Sequence, residues 1–205
     1  ELQHSHDCYF IIANMHAYTT RLAKSEDIRR DSIAIVRDYL AMGIDPEKTT
    51  IFLQSEIPAI AELTFLFAML LPFNRVMRNP TLKTEIETKG LGDTYSFGFP
   101  LYAVGQTADI LAFRPVGVPV GEDQVPHLEL TREIVRRFNN AYGEYLVEPK
   151  AIIATEGARV PGTDGRKMSK SYGNAIYISD TPEEMRKKVM SFVTDPQRKL
   201  KTDPG

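Results

Sequence analysis

The chain has 205 residues, 42% of them hydrophobic and 25% charged, with a formal net charge of −2. That length and balance suit one good-sized folded core, or one domain with part of another, and exclude both a disordered tail and a nucleic-acid binder working by bulk positive charge. A single cysteine, Cys8, excludes an internal disulfide and fits a reducing, cytoplasmic location, and the most apolar stretch, Phe65 to Phe73, is too short to span a bilayer.

In chain order, short apolar runs alternate with helical periods, the pattern of βαβ units and a parallel sheet. Tyr9-Phe10-Ile11-Ile12 reads as a strand buried on both faces. Ser25 is placed to cap a helix reaching to about Met42, with Ile28, Ile35, Val36, Tyr39 and Leu40 on one face and Gly43 as its stop. Thr50 to Gln54 is the next strand. Ile57 to Met77 reads as one long helix, apolar on more than one face, which fits a central buried helix, a subunit interface, or both. Asn79-Pro80 ends it, because the backbone before proline disfavours helix. A short charged helix from Thr81 to Lys89 and a glycine-containing loop from Gly90 to Gly98 follow.

The helix predicted over Phe99 to Phe113 carries Tyr102, Gln106 and Asp109 on one face, since their spacings are four and three. Val116 to Val120 is a strand ending at Gly121. Asp123 to Asn140 is a helix with Leu128, Ile134, Val135 and Phe138 inward. Ala151 to Ala154 leads into a loop from Gly157 to Gly173, and Thr181-Pro182-Glu183-Glu184 opens a last helix with threonine at the cap.

Three places carry chemistry. Lys167-Met168-Ser169-Lys170-Ser171 sets two ammonium groups and two hydroxyls on a glycine-bearing loop, which is what a mobile phosphate clamp requires. Gly121-Glu122-Asp123-Gln124 lies where a strand gives way to a helix, the edge at which open α/β sheets bind ligands. Asp123 there serves either a nucleotide or merely the cap of its own helix. Asp109, between Ala108 and Ile110, needs a partner, because an isolated buried carboxylate costs several kcal/mol. That partner is either a structural hydrogen bond or a ligand donor. His4, His6 and Cys8 alternate along a terminal stretch and are set aside as a metal site.

The K-M-S-K-S string is identical to the signature loop of class I aminoacyl-tRNA synthetases. G-E-D-Q-V-P-H at 121–127, A-D-I-L at 108–111 and A-N-M-H at 13–16 resemble the tryptophanyl-tRNA synthetase family, in the same order and over nearly the whole chain. The resemblance implies a Rossmann-like parallel sheet with flanking helices over 1–178 and the start of an α-helical, tRNA-anticodon-binding domain over 179–205. The family's second signature, HIGH, is not found, and His4-Ser5-His6-Asp7 lacks its glycine. The segment is therefore expected to begin after the first strand unit and to stop within the helical domain.

The activity implied is ATP-dependent activation of L-tryptophan to the adenylate and its transfer to tRNA(Trp), with Mg2+ accompanying the nucleotide, in a cytoplasmic homodimer. By resemblance Gly121, Glu122, Asp123, Val160, Lys167, Met168, Ser169, Lys170 and Ser171 contact ATP, and Lys167 and Lys170 are catalytic. His16, Tyr102, Gln106, Asp109, Val118, Val120 and Gln124 form the tryptophan pocket, with Asp109 accepting the indole N–H. Gln106 stands where many bacterial members place methionine, which bears on the pocket's shape. His127 and the phosphate-facing candidates Lys83 and Lys89 are weaker assignments. The rival readings are the sister tyrosine enzyme, which Asp109 and His127 disfavour, and an inactive fragment or paralogue acting as a binding partner.

Overall fold

The computed structural model describes residues 2–19, 25–153, 160–169 and 172–193. By packing the chain divides into two compact units, Glu1–Ala154 and Thr155–Gly205. In the first, β1 (Cys8–Ile12) runs through α1 (Ser25–Ala41) to β2 (Thr49–Leu53), and the strands pair in parallel with Cys8 opposite Thr49 and Ile12 opposite Leu53. β3 (Gly117–Pro119) and β4 (Lys150–Ile152) form a second parallel pair, with Val118 opposite Ala151. The expected βαβ alternation is present. Among the described residues the expected single sheet appears as two two-stranded sheets, β1–β2 and β3–β4, with no ladder between them.

The core is built on α5 (Gly98–Leu111), whose Phe99, Ala103, Val104, Ala108 and Leu111 are buried. Its small residues let α2 (Pro58–Ala68) and α6 (Val125–Tyr142) pack close. On α6, His127, Leu128, Leu130, Thr131, Ile134 and Val135 are buried, one stripe of a 3.6-residue period. Phe138 is partly buried against Phe67, their rings edge to face at 6.1 Å. Truncating a core leucine such as Leu130 forfeits roughly 2–5 kcal/mol.

Two local expectations are corrected. The single helix over Ile57 to Met77 is two, α2 and α3 (Phe73–Val76), divided at Pro72. Proline has no N–H and disfavours helical backbone at Leu71, so the apolar run continues while the helix does not. On α1 only Ser32 is buried; of the residues expected on one face, Ile28, Val36 and Tyr39 are half-buried and Ile35 and Leu40 exposed. Spacing put those side chains on one face, along which Tyr39 meets the ring of Phe10. Tyr9, expected inside a doubly buried strand, is 52% exposed, because β1 is covered more fully on the side of Ile12. The stop at Gly43 holds, with φ of +89°.

α4 (Pro80–Thr88) starts at Asn79, whose side chain accepts from Thr81 N–H. In the second unit Pro161 and Lys167 form an antiparallel bridge, and α7 (Pro182–Met190) opens with a complete capping box between Thr181 and Glu184.

Candidate functional site

β1 and β2 end side by side because they are parallel and in register, so the residues that follow each strand meet. Asn14 Nδ2 donates to Ser55 Oγ at 2.8 Å, and Ser55 N–H donates to Asn14 Oδ1 at 3.1 Å. Beside them Gln54, 2% exposed, saturates its amide. Its Oε1 accepts from the N–H groups of Met15 and His16, both at 3.2 Å. Its Nε2 donates to Asp109 Oδ1 at 2.8 Å and lies 3.1 Å from His16 Nε2. His16 Nδ1 is 3.7 Å from Asp109 Oδ2. Burial pushes Asp109 up to about 6, partly offset by the Gln54 hydrogen bond, and holds His16 down at about 4. At neutral pH the pair is therefore a carboxylate beside a neutral imidazole rather than a salt bridge. Gly105 on α5 makes this approach possible, since a Cβ there would stand 2.6 Å from His16 Nε2.

About one turn back along α5 from Gly105, and about two from Asp109, Tyr102 belongs to a second network. Its hydroxyl donates to Glu85 at 3.0 Å and sits 3.3 Å from His127 Nε2. Asn79 Nδ2 reaches His127 Nδ1 at 3.3 Å, while Asn79 Oδ1 is engaged by Thr81. His127 is thus buried and structurally satisfied, and burial lowers its pKa. Burial and the neighbouring Glu85 raise that of Tyr102.

The remaining residues of the predicted pocket form a chain of their own. Gln106 Nε2 donates to Gln124 Oε1 at 3.3 Å, and Gln124 Nε2 donates to Asp123 Oδ2 at 2.9 Å. Val118 and Val120 are half-buried at β3, whereas Gly121, Glu122 and Asp123 are exposed. Asp123 does not cap α6: neither that helix nor the short 3-10 turn before it has a side-chain cap bond.

An apolar cavity of about 500 Å3 opens beside the first network, lined among others by His16, Gln54, Ile60, Phe65, Tyr102 and Gly105. Of the predicted tryptophan residues, His16 and Tyr102 line it; Gln106, Asp109, Val118, Val120 and Gln124 do not. Asp123 and Gln124 border a separate hollow of about 300 Å3, together with Thr81 and Glu85. Gln54 and Gly105 were missed by sequence reasoning. The available signal for Gln54 was its position as the first polar residue after an apolar parallel strand, at the ligand-binding edge of the sheet.

In the second unit the described residues 160–169 form a hairpin. Met168 N–H donates to Val160 C=O at 2.8 Å, so these two predicted ATP contacts are neighbours. Asn174, 3% exposed, receives Ser169 N–H at 2.8 Å and donates to Lys167 C=O at 3.2 Å and to Asp164 at 2.7 Å. That last bond, with help from Arg166, holds Asp164 down at about 2. Lys167 is exposed. Lys170 and Ser171, with Gly157 and Ala154, lie outside the described residues.

Parallel strand–helix–strand units with a polar cluster at the strands' carboxyl ends, followed by a lysine-bearing hairpin, define the class: an α/β protein of the class I synthetase type. The family model described as tRNA synthetases class I (W and Y) matches residues 1–205, and the chain belongs to that family. It is 50% identical to a tryptophan--tRNA ligase of Clostridium longisporum over 100% of this chain and 62% of the relative. With that of Streptococcus mutans it shares 49% identity over 99% of the chain and 61% of the relative. The chain thus spans about three fifths of the length of these relatives. Among solved structures, the tryptophanyl-tRNA synthetase of Campylobacter jejuni complexed with ADP and tryptophan superposes with a TM-score of 0.85 at 36% identity, covering 96% of this chain and 60% of that one. A tyrosyl-tRNA synthetase of Archaeoglobus fulgidus shares the fold, with a TM-score of 0.70 at 24% identity over 92% of this chain and 56% of that one.

Proposed function

We propose that the chain carries much of the catalytic core of a tryptophan--tRNA ligase, which activates L-tryptophan with ATP and charges tRNA(Trp). The observation that carries this reading is Asp109, a buried carboxylate held as an acceptor by a saturated amide at the carboxyl ends of parallel strands. Such a group rewards a ligand with an N–H donor and rejects one without it. An indole N–H is that donor, and the relatives' names agree.

In this reading a tryptophan carboxylate oxygen attacks the α-phosphorus of ATP, the α–β bridging bond breaks, and pyrophosphate leaves with the electron pair. Catalysis is positioning and charge stabilisation. Lys167 and Lys170 act on the leaving phosphates, and Ser169 and Ser171 supply donors. Val160 and Met168, joined across the hairpin, take the adenine. Gly121, Glu122 and Asp123 take the ribose and phosphates, which accords with Asp123 being free of a capping role. His16, Tyr102, Gln106, Val118, Val120 and Gln124 surround the amino acid.

Mg2+ fits as a companion of the nucleotide, since this ion is usually held by substrate phosphates with few protein ligands. It would share their negative charge. Exposed Phe65, Met69 and Phe73, at 69%, 63% and 54%, form an apolar face on α2 and α3 that supports a homodimer. No described helix is long and apolar enough to cross a membrane, and a cytoplasmic location is proposed on the cysteine usage.

Residues 1–178 are read as the Rossmann-like catalytic part and 179–205 as the start of a helical domain, with α7 falling in the latter. The test is ATP–pyrophosphate exchange by the full-length protein with tryptophan or tyrosine as the amino acid. Exchange with tryptophan is expected; exchange with tyrosine alone, or with neither, overturns the reading.

A further inference from the structure

We propose that Gln54 is a positioning residue for the amino-acid site: its amide aims the Asp109 carboxylate and fixes the tautomer of His16. The proposal rests on the reading of Asp109 as the indole acceptor and deepens it.

Orientation comes first. Two backbone N–H groups, those of Met15 and His16, point at one end of the Gln54 amide. Only the carbonyl oxygen can accept them, so that end is Oε1 and the other is the NH2 group. Both amide hydrogens are then committed, one to Asp109 Oδ1 at 2.8 Å and one toward His16 Nε2 at 3.1 Å. A donor facing His16 Nε2 requires a lone pair there. The imidazole therefore carries its proton on Nδ1, the nitrogen 3.7 Å from Asp109 Oδ2. That distance is beyond a hydrogen bond, so Oδ2 keeps acceptor capacity for a ligand donor.

A glutamine at this depth is not held by burial alone: its two acceptor sites and two donor hydrogens are all used, and they tie β1, β2 and α5 together at sequence separations of 38, 39 and 55. Its Oε1 bonds alone would suffice to hold the chain after β1. The Nε2 bonds have a different object, the two side chains assigned to the amino acid. His16 is the titratable group facing Asp109 from the end of β1. Tyr102 touches the His16 ring at 6.0 Å between centroids, and Glu85 and His127 lie beyond that hydroxyl.

Gln54→Glu separates the two roles, because a carboxylate still accepts from Met15 and His16 N–H but loses both donors. In the full-length protein this change is expected to raise KM for tryptophan at least about tenfold, while kcat and KM for ATP stay within about threefold. The acid limb of kcat/KM for tryptophan should move up by about one pH unit or more, since two carboxylates sharing a site ionise with difficulty. A folded Gln54→Glu protein with unchanged KM for tryptophan and an unchanged acid limb overturns the proposal. Should Gln54→Glu not fold, imidazole 15N NMR on the unmodified protein decides: a neutral His16 with its proton on Nδ1 supports the assignment, and a proton on Nε2 overturns it. Asp109→Ala separates the two levels. If Asp109→Ala leaves tryptophan use intact, the indole reading fails; if it abolishes use while Gln54→Glu is silent, only the role of Gln54 fails.

Discussion

Gln54 and Asn174 are both buried amides bonded at both the oxygen and the nitrogen, yet they order their regions differently. Gln54 joins the ends of two strands to a helix 55 residues away, so its network exists only once the strands and α5 have packed. Asn174 bonds Asp164, Lys167 and Ser169, all within ten residues, and so shapes its hairpin through local contacts. The first arrangement fixes side chains: Asp109 and His16 have one orientation each. The second fixes backbone and leaves Lys167 exposed. A group that recognises an invariant donor gains from rigidity, whereas a lysine following phosphates through a reaction needs a firm base and a free end.

The sharpest test of this contrast is Asp109→Ala in the full-length protein. It should lower kcat/KM for tryptophan by on the order of 10²-fold, with KM for ATP little changed, because the loss falls on one ligand donor. Equal losses for both ligands would make Asp109 a structural residue. Asn174→Ala should do the reverse, lowering the rate of adenylate formation about tenfold in single-turnover measurements and leaving tryptophan affinity within about threefold. A parallel fall in tryptophan affinity would erase the distinction between the two regions.

Gly105→Ala tests the tertiary character of the first network. A methyl 2.6 Å from His16 Nε2 must displace the ring or α5. The expected cost is ~1–3 kcal/mol of stability in denaturant unfolding, together with a raised KM for tryptophan. A variant of native stability and KM would show that the helix yields freely there.

The smallest effect is in pH dependence. His16 is lowered from 6.5 to about 4, so the unfolded chain binds its proton first and stability falls as pH drops from 6.5 toward 4. Asp109 is raised from 3.8 to about 6, so the folded chain binds its proton first and stability rises as pH drops from 6 toward 3.8. Between pH 6 and 4 the two contributions oppose, and their joint effect on melting temperature should be small. Tryptophan use should nevertheless fall below about pH 6, where Asp109 gains a proton and Oδ2 ceases to be a charged acceptor. Comparing melting curves with kcat/KM over this range checks the separation; a melting temperature that tracks the kinetic acid limb would argue against it.

Much of the local structure is legible residue by residue. Thr181 and Glu184 announce the capping box that opens α7, the stripe through Leu128, Ile134 and Val135 announces α6, and the spacing of 102, 106 and 109 sets one face of α5. These depend on neighbours within a turn or two, and local rules act at that range. The lysine string likewise carries its chemistry in five adjacent residues. What only the tertiary structure decided lies at long range: which of the residues on α5 meet His16, whether α1's apolar face is covered, and that Asp123 leaves its helix uncapped. Gln54 belongs with these, since nothing near it in the chain names its partners. They are supplied by parallel pairing that brings two strand ends together and by a glycine that lets α5 come within reach, so its role follows from packing rather than from any pattern in the sequence around it.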